Sequence, residues 1–190
     1  PTKPSNTRLR LLVLGGSQGA RILNTLLPQA LALLPEAERP FVFHQCGREM
    51  MEETRKNYQQ AQVTAQIEPF IENMMEMYSW ADFAVCRAGA MTVYELACAQ
   101  LPALLIPLPT AIDDHQTINA RWFEKAKAAK VLPQATLDAK SLSQQIQNLM
   151  QDRAALQAMS KAMKGLAQPD AASKVATICE DILIEDTQDA

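Results

Sequence analysis

The chain has 190 residues, of which 48% are hydrophobic and 21% are charged, and its formal net charge is −3. This composition is typical of a soluble globular protein and excludes an intrinsically disordered chain, and the length suits one large domain or one and a half small ones. Because the net charge is negative, nothing in the composition indicates a polyanionic partner, and we expect no binding of nucleic acid.

The cysteines indicate a reducing compartment, since Cys46, Cys86, Cys98 and Cys179 form no CxxC pair and fit no zinc-site spacing. Cys86 and Cys98 lie in apolar runs, so we expect both to be buried thiols. No apolar run is long enough to span a bilayer. The N-terminal sequence PTKPSNTRLR lacks the apolar core of a signal peptide. Because the first residue is not Met, we expect the chain to be part of a longer protein.

Predicted strands and helices alternate along the chain. The apolar pattern predicts six strands, in order Arg8–Leu14, Phe41–His44, Val63–Ile67, Phe83–Cys86, Ala103–Pro107 and Lys130–Leu132. It predicts helices at Ala20–Leu34, Glu49–Gln60, Asn73–Trp80, Ala90–Ala99, His115–Ala129, Ser141–Met150, Asp152–Leu166 and from Pro169 to about Ile184. This alternation predicts an α/β fold with a parallel sheet covered by helices on both faces. Such sheets bind ligands at the carboxyl ends of their strands.

The first strand ends in a glycine turn, LLVLGGSQGAR at residues 11–21, which feeds directly into a helix. This geometry aims free backbone N–H groups at phosphate. The turn differs from the GxGxxG fingerprint, and the second strand ends FHQCG without the acidic residue that holds a ribose, so an NAD enzyme is disfavoured. No GxxxxGK[ST] motif is present, which excludes a P-loop NTPase. A purely steric glycine turn remains the alternative.

A second glycine turn follows the fourth strand, in RAGAMTVYE at residues 87–95. Thr92 and the N–H groups of Ala90 and Met91 lie where a phosphate oxygen could bind. Glu95, about one turn into the helix, is suited to accept hydrogen bonds from a ribose diol. Its alternative role is to complement the helix dipole.

The loop after the fifth strand, DDHQTINA at residues 113–120, places amide and imidazole groups at a helix start. Such groups suit a hydroxyl-rich ligand such as a sugar. His115 has no visible nucleophile partner, so capping or sugar contact is favoured over a role as catalytic base. His44, at the end of the second strand, is interpreted as a hydrogen-bonded structural histidine.

Together, GGSQGAR, RAGAMTVYEL and DDHQTINA resemble, in this order, the MurG family of bacterial glycosyltransferases. The resemblance covers nearly the whole chain. Members transfer N-acetylglucosamine (GlcNAc) from UDP-GlcNAc to the muramyl C4 hydroxyl of lipid I, which gives lipid II for peptidoglycan. They have two Rossmann-like domains facing a cleft, the GT-B architecture, and this chain resembles the C-terminal, donor-binding half.

The resemblance implies roles for individual residues. It assigns Ser17 to the diphosphate, Glu95 to the ribose and Gln116 to the GlcNAc ring. It assigns the backbone of Phe70 and Ile71 to uracil recognition, with Asn119 as a support of its loop. The implied donor site comprises Gly16, Ser17, Gln18, Phe70, Ile71, Ala90, Met91, Thr92, Val93, Tyr94, Glu95, His115, Gln116 and Asn119.

The resemblance also implies an organisation and a location. Residues 1–167 would form the Rossmann-like UDP-sugar-binding domain, and residues 168–190 a C-terminal helix and acidic tail that packs toward an N-terminal domain. That N-terminal domain would carry the catalytic base, the lipid I site and the contact with the cytoplasmic face of the inner membrane. No cofactor and no metal are implied, and the isolated domain is expected to be inactive.

The residues leave three alternatives open. One is a related GT-B enzyme, either another UDP-sugar transferase or a UDP-GlcNAc 2-epimerase, although no convincing acid/base set for an epimerase is visible. A second is a non-catalytic nucleotide-sugar binding module. A third is a structural or interaction domain with vestigial loops.

Overall fold

A computed structural model describes residues 8–16, 18–109, 114–168 and Thr177. Six strands form one parallel sheet in the order β3-β2-β1-β4-β5-β6. They are β1 (Arg10–Leu14), β2 (Phe41–Gln45), β3 (Gln66–Glu68), β4 (Phe83–Cys86), β5 (Ala103–Leu105) and β6 (Ala129–Val131). The predicted α/β class with an all-parallel sheet is confirmed.

Seven helices cover the two faces of this sheet. They are α1 (Arg21–Ala32), α2 (Met51–Gln60), α3 (Met74–Trp80), α4 (Ala90–Ala99), α5 (His115–Lys125), α6 (Ala139–Gln151) and α7 (Arg153–Leu166). The predicted helix that begins at Pro169 lies outside the described residues. In the part of the chain that the structure describes, no helix is both long and apolar enough to cross a bilayer.

The core is divided into two apolar clusters by the sheet. Leu11 and Val13 of β1 point to one face, where α1, α2 and α6 pack, and Leu12 and Leu14 point to the other, where α3, α4 and α5 pack. Helix α7 contributes to both clusters, through Leu156 and Met163 respectively. A strand that is apolar on both faces is what a doubly covered parallel sheet requires.

Three helices are followed by left-handed residues that are not glycine. The predicted ends of α2 at Gln60 and of α4 at Ala99 are confirmed, whereas that of α5 is not. Gln62, Gln100 and Lys127 follow α2, α4 and α5 with φ of 53°, 56° and 59°. At the end of α5, the N–H of Lys127 donates to Glu124 O and the N–H of Ala128 to Phe123 O, which is a Schellman motif. The predicted extension of α5 to Ala129 is therefore wrong. Val63 likewise belongs to the end of α2, because its N–H donates to Tyr58 O, and not to β3.

The predicted burial of the thiols is correct for one cysteine and wrong for the other. Cys86 lies on a central strand and is fully buried, whereas Cys98 is exposed. The reason is helical periodicity, since Leu96 and Ala97 face the core and the next residue of α4 turns to solvent. Cys46, on which no burial prediction was made, is also buried.

His44 is a buried structural histidine, held between the sheet and α2. Its side chain is 0% exposed, and its Nδ1 lies 2.9 Å from the hydroxyl of Tyr58. Its Nε2 has no partner among the described residues. Burial lowers the pKa of His44 from 6.5 to about 3, because a protonated ring would carry an uncompensated charge in the core.

We expect the two leucines Leu27 and Leu33 to differ strongly in their contribution to stability. Leu27 of α1 is fully buried, whereas Leu33, at the end of the same helix, is 59% exposed. Leu27→Ala should lower the free energy of unfolding by about 2–5 kcal/mol, since it leaves a cavity. The control Leu33→Ala should change it by less than about 0.5 kcal/mol. Urea unfolding of both variants measures this, and equal losses would contradict the assigned core.

We also expect His44 to make stability fall with acidification. Because its folded pKa lies below its unfolded value of 6.5, the unfolded state takes up a proton first as the pH falls toward 3. The free energy of unfolding should therefore decrease in this window by up to about 1.4 kcal/mol per pH unit. Urea midpoints from pH 7.5 to 4 should show a steeper loss for the wild type than for His44→Gln. Parallel curves would refute the assignment.

Candidate functional site

Loops from four strands meet in a single cleft of about 610 Å³ at the carboxyl edge of the sheet. The sheet order reverses direction between β1 and β4, so the cleft lies at the topological switch point where open α/β sheets bind ligands. Its polar walls come from the loops after β1, β4, β5 and β6, and include Gly16, Gln18, Arg87, Gly89, Thr92, Gln116 and Gln134. Met50 closes it beside β2.

The glycine turn after β1 is built by a very close backbone approach. Gly16 and Gly19 have φ of 78° and 76°, and the N–H of Gly19 donates to Gly16 O at 3.0 Å. A Cβ added to Gly19 would lie 2.2 Å from Cys46 O. Packing alone therefore requires a glycine at position 19. At Gly16, by contrast, an added Cβ would meet no atom within 4 Å. Ser17, the predicted diphosphate ligand, lies outside the described residues.

Four of the helices that begin at the carboxyl edge of the sheet have no side-chain cap. The N-cap residues of α1, α2, α4 and α5 are Ala20, Met50, Gly89 and Asp114, and none of their side chains accepts a hydrogen bond from its helix. By contrast, α3, α6 and α7 are capped by Asn73, Asp138 and Asp152. The first N–H groups of the uncapped helices, together with the positive ends of the helix dipoles, are therefore available to an anion at the cleft.

Helix α4 presents the residues of the second loop in two groups. Thr92 lines the cleft, and Ala90 and Met91 at the helix start are exposed. Val93 is buried in the core. The hydroxyl of Tyr94 donates to Gln168 O at 3.1 Å, so Tyr94 holds the segment that follows α7. We infer that Val93 and Tyr94 contribute to the site through their backbone or their packing.

Glu95 is held in place by a tyrosine of the neighbouring helix. The hydroxyl of Tyr78 on α3 donates to Glu95 Oε2 at 2.6 Å, and Glu95 is half-buried. Burial, followed by this hydrogen bond to the carboxylate and its charge, raises the pKa of Tyr78 well above its usual value. The tyrosine therefore remains a proton donor to Glu95, and the second carboxylate oxygen, Oε1, is left to accept from a ligand.

Gln116 and Asn119 tie the β4 and β5 loops to α5. Gln116 Oε1 accepts from the N–H of Leu108 at 3.1 Å and from the N–H of Ala88 at 3.3 Å. Asn119 Nδ2 donates to Ala88 O at 3.1 Å, so it supports the loop after β4, whereas its own loop was the one predicted to be supported. The amide oxygen of Gln116 is thus used structurally, and its NH₂ group is the part that would meet a ligand. His115 is exposed at the helix start.

Phe70 and Ile71 lie after β3, at the same edge of the sheet but away from the polar walls of the cleft. The Ile71 side chain is 6% exposed and belongs to the core, which leaves only its backbone for recognition. Phe70 is 44% exposed, and the guanidinium of Arg48 lies 5.4 Å from its ring centre. Arg48 directly follows Cys46-Gly47, the turn after β2, so its contact with Phe70 places Phe70 beside that turn.

Two cleft residues were not identified as ligands from the sequence. Arg87 lies at the tip of β4, within the RAGAMTVYE motif, and Gln134 lies in the turn after β6. The Oε1 atom of Gln134 is buried without a partner among the described residues. The position of Arg87 directly after a buried strand could have identified it from the sequence as a residue of the cleft. No local sequence pattern marks Gln134 in this way. No group of three or more His, Cys, Asp or Glu in the described ranges could hold a metal ion.

Comparisons with known proteins agree with this arrangement. Residues 10–175 match the model of the glycosyltransferase family 28 C-terminal domain. The UDP-N-acetylglucosamine–N-acetylmuramyl-(pentapeptide) pyrophosphoryl-undecaprenol N-acetylglucosamine transferase of Azotobacter vinelandii is 52% identical over 179 residues, which are 94% of this chain and 50% of that protein. The transferase of the same name from Methylococcus capsulatus is 53% identical over 89% of this chain and 48% of that protein. The chain spans about half the length of the curated relatives it matches.

Solved structures show the same relationship. The crystal structure of Acinetobacter baumannii MurG superposes with a TM-score of 0.87 at 40% identity, covering 95% of this chain and 54% of that one. The calicheamicin glycosyltransferase CalG4, at a TM-score of 0.63 and 16% identity, covers 94% of this chain and 45% of its own, and shares the fold alone. The resemblance predicted from the three loop motifs and the predicted Rossmann-like class are confirmed.

We expect Gln116 to stabilise the fold even without a ligand. Gln116→Ala leaves the N–H groups of Leu108 and of the buried Ala88 without their acceptor, which should cost about 1–3 kcal/mol of unfolding free energy. The control is Gln144→Ala, which removes an exposed side chain that bonds only Asn148, and it should cost less than about 0.5 kcal/mol. Thermal and urea unfolding measure both, and equal stability of the two variants would contradict this role.

Proposed function

Because this chain belongs to the family of glycosyltransferase family 28 C-terminal domains, we propose that it is the UDP-GlcNAc-binding half of an inverting N-acetylglucosaminyltransferase. The complete enzyme would add GlcNAc to the C4 hydroxyl of the muramyl residue of lipid I and form lipid II. The relatives at about half sequence identity carry the name of this transferase. The observation that carries the proposal is the convergence of uncapped helix starts, Glu95 and Gln116 on one edge of the sheet.

The diphosphate is assigned to the cleft between the β1 and β4 loops. Ser17 would donate its hydroxyl there, and Gly16 and Gln18 would shape the turn around it. Across the cleft, Thr92 and the N–H groups of Ala90 and Met91 would bind phosphate oxygens, supported by the positive end of α4. The lack of side-chain caps supports this assignment, because capped N–H groups would not be free to bind a ligand.

The sugar and the base are assigned to the flanks of the cleft. Glu95, oriented by Tyr78, would accept hydrogen bonds from the ribose hydroxyls. The NH₂ group of Gln116, with His115 beside it, would donate to hydroxyls of the GlcNAc ring. The backbone of Phe70 and Ile71 would pair with uracil. Val93 and Tyr94 would hold α4 in position for these contacts.

The reaction this site serves is an inverting displacement at the anomeric carbon. The muramyl C4 oxygen forms the new bond, the bond to UDP breaks, and the proton of the hydroxyl passes to a base that we assign to the other half of the enzyme. UDP gains negative charge as it leaves. Helix starts and hydroxyls already aimed at the diphosphate would stabilise that charge without reorganising, and each such donor is worth about 2.7–4 kcal/mol in comparable oxyanion sites.

The remaining half of the enzyme is proposed to complete the site. It would supply the acceptor site for lipid I and the contact with the cytoplasmic face of the inner membrane, which gives a peripheral location. Within this chain, residues 1–167 would form the donor domain, and residues 168–190 would pack toward that other half. The bond from Tyr94 to Gln168 O supports the start of this segment at α4, since it holds the residue that follows the donor domain against that helix.

Titration calorimetry tests the proposed function directly. The chain should bind UDP and UDP-GlcNAc, and should bind ADP-glucose at least tenfold more weakly, because the uracil and GlcNAc contacts are specific. Absence of heat at millimolar UDP-GlcNAc, or an equal response to ADP-glucose, would overturn the proposal.

We expect Glu95 to be responsible for discrimination between ribose and deoxyribose. The wild-type chain should prefer UDP over 2′-deoxy-UDP, whereas Glu95→Gln should bind UDP about ten- to hundredfold more weakly and lose this preference, since a charge-assisted hydrogen bond contributes about 1.5–3 kcal/mol. Glu95→Gln retains an acceptor for Tyr78, so the melting temperature should stay nearly constant. A variant that still discriminates the two nucleotides would refute the ribose contact.

A further inference from the structure

Arg87 is a cation anchored at the wall of the cleft by only one of its terminal nitrogens. Its Nη1 donates to Ile106 O at 3.0 Å and to Pro107 O at 3.2 Å, the two residues that directly follow the adjacent strand β5. These two bonds occupy both N–H groups of Nη1. The N–H groups of Nε and Nη2 have no acceptor among the described residues, although the side chain lines the cleft.

The charge of Arg87 is not balanced by the protein that the structure describes. Within residues 8–16, 18–109 and 114–168, no carboxylate lies within 4.0 Å of its guanidinium. Arg21 and Arg55, in contrast, lie near Glu53 and Glu52, at 3.8 and 3.6 Å. Partial burial lowers the pKa of Arg87, which reflects a charged group removed from water without compensation. Burying a cation in this way is unfavourable unless an anion joins it.

The backbone around Arg87 is fixed before any ligand binds. The next residue, Ala88, donates its N–H to Gln116 Oε1 and accepts from Asn119 Nδ2. Cys86, on the other side, is paired with β1 and β5 as part of the central strand. The guanidinium is therefore held at the tip of β4, next to the uncapped start of α4, without a need for rearrangement.

We propose that Arg87 binds the diphosphate of the nucleotide through its Nε and Nη2 N–H groups and supplies the main positive charge for the departing UDP. The proposal rests on the proposed function for the identity of the nucleotide. Guanidinium geometry matches two phosphate oxygens at once, and arginine remains charged even when partly buried. Its carbonyl anchors on β5 leave the opposite edge of the guanidinium for this contact.

This assignment explains how a chain of net charge −3 attracts a diphosphate. Uncapped helix starts contribute only partial charges, and a neutral Thr or Ser hydroxyl adds none. The attraction between the Arg87 guanidinium and the β-phosphate becomes stronger when the glycosidic bond breaks, because negative charge then accumulates on the β-phosphate. Binding that is stronger in the transition state than in the ground state is what accelerates a reaction.

The test is titration of the wild-type chain, Arg87→Gln and Arg87→Lys with UDP, UMP and inorganic pyrophosphate. Arg87→Gln should weaken UDP and pyrophosphate by about ten- to hundredfold and UMP by no more than about threefold. Arg87→Lys should retain part of the affinity for UDP, since it keeps the charge but not the paired geometry. The control Arg55→Gln removes the same charge from an exposed position on α2 and should stay within about twofold of the wild type.

The outcomes separate this proposal from the proposed function. A wild type that binds UDP, with Arg87→Gln within twofold of it, overturns the role of Arg87 and leaves the proposed function standing. A wild type that binds pyrophosphate in an Arg87-dependent manner but not UDP supports Arg87 as an anion ligand and overturns the nucleotide assignment. Equal losses for UDP and UMP would indicate a distorted site and would also overturn it.

The variants remove two bonds to β5, so a measurement on the wild type is needed in case they unfold. In an NMR titration with UDP, the Nε–Hε signal of Arg87 should shift downfield and become protected from exchange with solvent. An unchanged signal at saturating UDP would overturn the proposal, whatever the stability of the variants.

Discussion

The site depends on one close backbone contact, between the turn after β1 and the turn after β2. A Cβ on Gly19 would lie 2.2 Å from Cys46 O, and a Cβ on Gly47 would lie 2.5 Å from Gly19 Cα, so both positions accept only glycine. Asn24, from the next turn of α1, donates its Nδ2 to the same Cys46 O at 3.0 Å. The helix that the glycine turn begins thus also holds the turn against β2, and this fixes the direction in which its first N–H groups point.

This contact explains why phosphate binding and steric packing are not true alternatives for the glycine-rich turn. Gly19 is required by packing, and the same packing excludes a side chain at the position directly before Ala20, the N-cap of α1. The Gly16 position is open, so a ligand can approach its backbone. The same turn therefore meets the steric need of the fold at Gly19 and leaves space for the proposed anion at Gly16, and the sequence pattern alone could not separate the two.

The sequence was sufficient for the elements and for the edge at which the loops meet, because apolar runs and glycine turns are local signals. Several details depend on packing that is not local. Lys127 follows α5 in the left-handed conformation usually taken by glycine, so no residue type marked the end of that helix. The bond from Tyr78 to Glu95 joins two helices, and the anchoring of Arg87 requires the carbonyls of β5. Roles that depend on contacts between residues far apart in the sequence could be assigned only from the three-dimensional structure.

The arrangement of charge in the cleft also bears on how the proposed donor site would release its product. Thr92, Gln116 and the helix starts are neutral groups. Two guanidiniums line the described cleft wall: Arg21, which lies 3.8 Å from a Glu53 carboxylate oxygen, and Arg87 at the tip of β4, which has no such partner among the described residues. A site with several such cations would bind UDP so tightly that release would limit turnover. In the proposed site, one guanidinium without a carboxylate partner, combined with partial charges, would stabilise the leaving group while the bond breaks. It would also leave the product exchangeable with solvent at the open edge of the sheet.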